Sequence, residues 1–126
     1  MKRYEIYEVR GRRFALALTL ASQMEMEERF GDDVNISEIL YGDDRKKIYQ
    51  NTLAMFEIMA NEGADYAEMF EGKQFDRVKS DEMLHFLKLS DINTIREKLT
   101  SACLLGWKRD IELEEDESKN ADAPGD

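Results

Sequence analysis

The sequence predicts an α+β fold: an N-terminal β-hairpin packed on a mainly helical domain of about five helices, followed by a disordered acidic C-terminal tail. Three observations carry this expectation. Phe14, Leu16 and Leu18 alternate with Ala15, Ala17 and Thr19 directly after a basic turn, the period of a strand with one buried face. Further along, apolar residues recur at helical spacing in blocks opened by Asn, Asp or Ser and closed near glycine. From Glu112 onward all periodicity stops. These signals place one folded domain over residues 1–111, with the hairpin at 4–19, helices at about 20–30, 36–41, 44–62, 80–89 and 91–111, and the tail at 112–126.

In the hairpin, Tyr4 to Val9 supplies aromatic and β-branched residues for the first strand, and Gly11 within Arg10-Gly11-Arg12 can take the positive φ that a tight turn requires. A single helix from Arg13 to Phe30 is the rival reading, since Ala, Leu, Met and Glu all favour helix. The strict alternation before Leu20 decides for the hairpin. A helix then runs to Phe30, where Gly31 supplies the stop. Asn35-Ile36-Ser37-Glu38 has the form of a capping box opening a short helix that ends at Gly42.

The next helix is the best marked. Ile48, Thr52, Met55 and Met59 fall on one line and Tyr49, Leu53, Phe56 and Ala60 on the adjacent one, a stripe wide enough for packing on two sides. Gly63 is expected to end it, with a further turn or two over Ala64 to Phe70 and a connector over Gly72 to Lys79. Ser80 is expected to cap a helix whose first turn holds Asp81 and Glu82, as the helix dipole prefers. Ser90 and Asp91 then open the last helix, with Ile92, Ile95, Leu99, Ala102, Cys103 and Gly106 as its stripe, extended by Trp107 and Ile111. Two strands alone are marginal, so Phe14, Leu16 and Leu18 are expected to lie on the longest and last helices.

Composition narrows the function. The chain of 126 residues carries a formal charge of −10, which disfavours a nucleic-acid backbone as partner. Residues 112–126 hold seven acids and one lysine, or −6 of that charge. One cysteine excludes an internal disulfide framework, and a reducing cytoplasm suits it. Residues 2–23 have the outline of a signal peptide, but Glu5 and Glu8 place acid in its basic part, and its apolar run is needed for the core face of the hairpin. No run is long enough to cross a bilayer.

Catalytic chemistry has little to stand on. His85 is the single histidine and reads as a helix-surface residue, Cys103 as a buried structural thiol, and Glu25, Glu27 and Glu28 as a solvated face rather than metal ligands. No glycine loop cradles a phosphate, so no enzyme activity and no cofactor are expected. Met55, Met59, Met69 and Met83 read by spacing as core filler. With Leu87 they are also the candidate lining of an adaptable groove for a partner's apolar helices. Glu114, Glu115, Asp116 and Glu117 are the candidate tail residues for guiding a basic partner.

In order along the chain, these features resemble the tail assembly chaperones of long-tailed bacteriophages and prophages. The resemblance starts with strand, Arg10-Gly11-Arg12-Arg13 turn, strand, and an acidic helix closing at Glu28-Arg29-Phe30-Gly31. It continues through Ile58-Met59-Ala60-Asn61-Glu62-Gly63, then Ser80-Asp81-Glu82 before Ser90 to Trp107, and ends in the acidic tail. It spans nearly the whole chain and rests on order rather than on any one signature. It implies a non-enzymatic protein of the bacterial host cytoplasm that binds the tape measure protein, keeps it soluble during tail morphogenesis and is absent from the mature virion. It further implies tail tube protein as a partner through a longer, frameshifted product. Two other classes stay open: another phage structural component, such as a head–tail connector or minor tail protein, and an acidic regulator that sequesters a basic partner. Self-association through the hairpin edge is a further expectation.

Overall fold

Arg10 and Gly11 both adopt positive φ, 44° and 83°, so the hairpin turns on two left-handed residues whose twist matches that of the strands they join. The strands are β1 (Glu5–Val9) and β2 (Arg12–Leu16), antiparallel, with Tyr7 opposite Phe14 and Val9 opposite Arg12. The computed structural model describes residues 2–108. Five helices follow the hairpin: α1 (Leu20–Phe30), α2 (Ile36–Tyr41), α3 (Arg45–Glu71), α4 (Ser80–Phe86) and α5 (Leu89–Trp107). The acidic tail expected at 112–126 and the last residues of the expected final helix lie outside the described residues.

Local chemistry explains most of the boundaries. Thr19 caps α1: its hydroxyl oxygen accepts from Ser22 N–H at 3.3 Å while its own N–H donates to Ser22 Oγ at 2.8 Å. Ser22 is fully buried, and its hydroxyl also donates to Ala17 O at 3.0 Å, which ties the helix start to the end of the hairpin. Gly31, at φ 96°, closes α1 as expected. Asn35 and Asp44 cap α2 and α3 by accepting from Glu38 N–H (3.1 Å) and Lys47 N–H (3.2 Å).

Three boundaries differ from expectation, each for a physical reason. The longest helix does not end at Gly63 but runs on to Glu71. It stops at Gly72, at φ 65°, where Lys73 N–H returns to Ala67 O at 3.1 Å. Gly63 is a close-packing residue instead: a Cβ there would lie 1.7 Å from Ala15 O. Ser80 is the first helical residue of α4 rather than its cap, and Lys79 at the cap position makes no side-chain bond. Finally, the break between the last two helices falls at Leu87 and Lys88, earlier than Ser90. The Asp91 carboxylate accepts from Lys88 N–H at 2.7 Å and so fixes the start of α5 at Leu89.

The strand alternation is real, yet both faces of β2 are buried. On one side Phe14 meets Phe56 edge-on at 5.1 Å between ring centroids, and Tyr7 meets Phe56 at 5.9 Å. Leu16, Leu18, Met26, Leu40, Ile95 and Leu99 extend this main core. On the other side Tyr4, Ala15, Ala17 and Ala67 form a thin second cluster with Tyr66 and Phe75 beside it. The outer edge of β2 is covered as well. Ala17 N–H donates to Met59 O at 3.1 Å, Ala15 O abuts Gly63, and Asp76 N–H donates to Arg13 O at 2.9 Å. As expected, α3 and α5 are the helices that pack on the hairpin.

Candidate partner surface

The wide stripe of α3 follows from its surroundings: hairpin, α1, α2, α4 and α5 all pack on it. Met55 and Met59 therefore sit fully buried, and Met83 of α4 is equally enclosed. This corrects their assignment as lining of a partner groove: in the folded protein they fill core, where an unbranched thioether suits an irregular gap. Met59 Sδ lies 3.9 Å from Cys103 Sγ, and burial pushes the Cys103 thiol up to about 12. Leu87 is half-buried at the end of α4. Glu114, Glu115, Asp116 and Glu117 lie outside the described residues.

His85 is exposed, and Glu25 and Glu28 face solvent. Among the described residues no three His, Cys, Asp or Glu side chains converge in a way that could hold a metal ion. A surface cleft of about 490 Å³ lies between the end of α1, α2 and the start of α3, lined by Arg29, Asp33, Glu38, Asp44, Lys47 and apolar Ile39 among others. Its charges are of both signs with acids in excess, and all of these charged groups are exposed.

Several apolar side chains lie outside the buried stripes, among them Met69 and Trp107, which spacing alone places in the core and on the stripe of the last helix. Leu20 and Met24 stand out from α1, Met69 and Phe70 from the end of α3, and Leu104 and Trp107 from α5, each more than half exposed. Phe70 borders a recess of about 450 Å³ with Leu18, Tyr66, Leu105 and Gly106. Trp107 borders another with Gln23, Val34 and Ile36. Leu84 and Leu89 project at the corner between α4 and α5. The signal was present in the sequence: Leu20 and Met24 are four apart on the helix face opposite buried Ser22 and Met26, and Leu104 lies off the Ile95–Leu99–Ala102 line.

The basic turn is occupied by the protein itself. Arg10 donates to Asp91 Oδ2 at 2.6 Å and to Phe86 O at 2.8 Å, and its guanidinium lies 4.9 Å from the Phe86 ring centre. Arg12 pairs with Glu82, donates to Arg77 O at 3.2 Å, and lies between the Phe14 and Phe86 rings. The hydrogen bond from Arg10 holds the Asp91 carboxyl below the usual carboxylate range, helped by Lys88 N–H. Burial, with Asp91 nearby, pushes the Tyr7 phenol up to about 12. Burial and a hydrogen bond to Glu71 do the same for Tyr4.

Compared with known proteins, the chain matches no family model, no curated protein and no solved structure. The fold itself defines the class: a mainly helical protein led by a two-stranded hairpin. Among the described residues no helix is long and apolar enough to cross a membrane.

Proposed function

We propose that this protein is a non-enzymatic chaperone of phage tail assembly, binding the apolar helices of a tape measure protein and keeping them soluble in the cytoplasm of the bacterial host. One observation carries the proposal: Leu20, Met24, Met69, Phe70, Leu104 and Trp107 are exposed on a chain of net charge −10. Apolar contacts of this kind cover a partner's stripe, while the charge keeps the pair dissolved. Helix on apolar surface is the recognition mode that follows. The order of elements, from the Arg10-Gly11 turn to α5, supports the same reading through its resemblance to tail assembly chaperones.

Co-expression with the long helical protein encoded beside it, followed by a solubility assay and pull-down, tests the proposal. The partner is expected in the soluble fraction only in this chain's company, and purified virions should lack the chain. A partner that stays insoluble with nothing co-purifying, or abundant chain in virions, overturns it and leaves a structural component as the better reading.

A further inference from the structure

The segment from Lys73 to Lys88, which carries α4, is held to the rest of the protein by few buried side chains. Only Val78 and Met83 are fully buried in it, whereas α5 alone buries Ile92, Ile95, Leu99, Ala102 and Cys103. Phe75, Phe86 and Leu87 are only half-buried against the core, and the remaining attachments are polar and mostly exposed. Asp76 exchanges bonds with the Arg13 backbone, at 2.9 Å to Arg13 O and 2.7 Å from Arg13 N–H. Asn61 brackets Val78, donating to its carbonyl at 2.9 Å and accepting from its N–H at 2.8 Å. Arg77 pairs with Asp65, Arg12 with Glu82, and Arg10 reaches Phe86 O. Beneath it lie the aromatic cluster of the hairpin and the flank of α3.

We propose that this segment is a displaceable strap occupying a helix-binding groove between the hairpin turn and α3, and that an amphipathic helix from a partner takes its place. The present occupant defines the chemistry of the replacement. Met83, Phe86 and Leu87 point one apolar face at the core from i, i+3 and i+4, and Glu82 just ahead of them meets Arg12. A competing helix needs the same triad with an acidic residue immediately before it, so that neither Arg12 nor the core beneath is left uncovered. Asp91 stays with α5 and keeps Arg10 in position throughout. Segments that open below the global unfolding limit are those with few buried apolar contacts and solvent-reachable bonds, as here.

The strap rests on the chaperone reading only for the identity of the competing helix, so its test uses a labelled peptide of residues 76–90 of this chain and no phage protein. Hydrogen exchange of the full chain is expected to show amides of residues 78–87 opening at least about 10-fold faster than the core of α3 and α5. Glu82→Lys, a surface change, should raise that exchange further and tighten peptide binding by about 10-fold, because the competent fraction of chain grows. Adding Arg12→Glu to Glu82→Lys should restore the tie with reversed charges and return the exchange toward the parent, and a peptide that also carries Glu82→Lys should bind this variant about as the parent peptide binds the parent. Strap exchange equal to that of α3, exchange that rises equally everywhere in Glu82→Lys, or peptide binding insensitive to either change overturns the proposal. A chain that takes the peptide yet fails to solubilise the neighbouring tail protein sinks the chaperone reading and leaves the strap standing.

Discussion

Replacing Gly63 with alanine should destabilise the protein although alanine is the better helix former. The new Cβ would stand 1.7 Å from Ala15 O and 2.4 Å from Ala15 C, both backbone atoms that cannot rotate away. An ordinary carbon–oxygen approach is about 3.3 Å, so α3 and β2 must separate by roughly 1.6 Å. That movement breaks the 3.1 Å bond from Ala17 N–H to Met59 O, in a region where Ala17 is buried and no water replaces it. The stranded donor and the disturbed packing together come to roughly 3–5 kcal/mol. The gain in helix propensity returns about 1 kcal/mol. The net loss of about 2–4 kcal/mol corresponds to a fall in Tm of roughly 8–16 °C for a domain of this size. Thermal unfolding followed by circular dichroism reads it directly. A variant with unchanged or higher Tm would show that α3 does not approach β2 this closely.

Three other expectations follow from the same geometry. Met59→Ala should cost about 2–5 kcal/mol in denaturant titration, whereas Met24→Ser on the surface should stay within about 0.5 kcal/mol and instead weaken solubilisation of the partner. Cys103 should resist a thiol reagent at mildly alkaline pH in the folded protein and react at once in denaturant, since burial raises its pKa to about 12; rapid reaction without denaturant would contradict its place beside Met59. Tyr4 and Tyr7 titrate at about 12 in the folded protein against about 10 unfolded. Their contribution is therefore complete below pH about 10 and is lost as pH rises toward about 12, and Tyr7→Phe should flatten that alkaline limb in unfolding measured against pH.

Much of the architecture was legible because local chemistry and burial agreed. The hairpin, the extent of α1, and the cap at Asn35 all follow from side chains acting within four residues. Gly63 was misread because a glycine inside an apolar pattern signals either a stop or a close approach, and only the distant Ala15 decides between them. The small residues Ala60, Gly63, Ala64 and Ala67, three or four apart, marked a face shaped for another backbone, with Ala15 and Ala17 as its complement. The methionines illustrate the other limit. Spacing placed Met55, Met59 and Met83 on apolar stripes, which a core and a binding groove share. Whether a stripe is covered depends on the full set of neighbours, and for α3 that set includes every other helix.

The hairpin leaves the ribosome before the helices that cover it and is finished last. Arg10 meets Asp91 across 81 residues of chain, and Gly106 closes on Leu18. At roughly 5–20 residues per second, the turn emerges some 4–16 s before its acidic partner does. Until α3 emerges, Phe14, Leu16 and Leu18 belong to a nascent strand without its main cover, and the side that α5 closes stays open for the whole interval. An intermediate truncated before α5 would leave the α5 side of that core exposed permanently. Translation speed over the second half of the message thus governs how long each new molecule is itself in need of protection from aggregation.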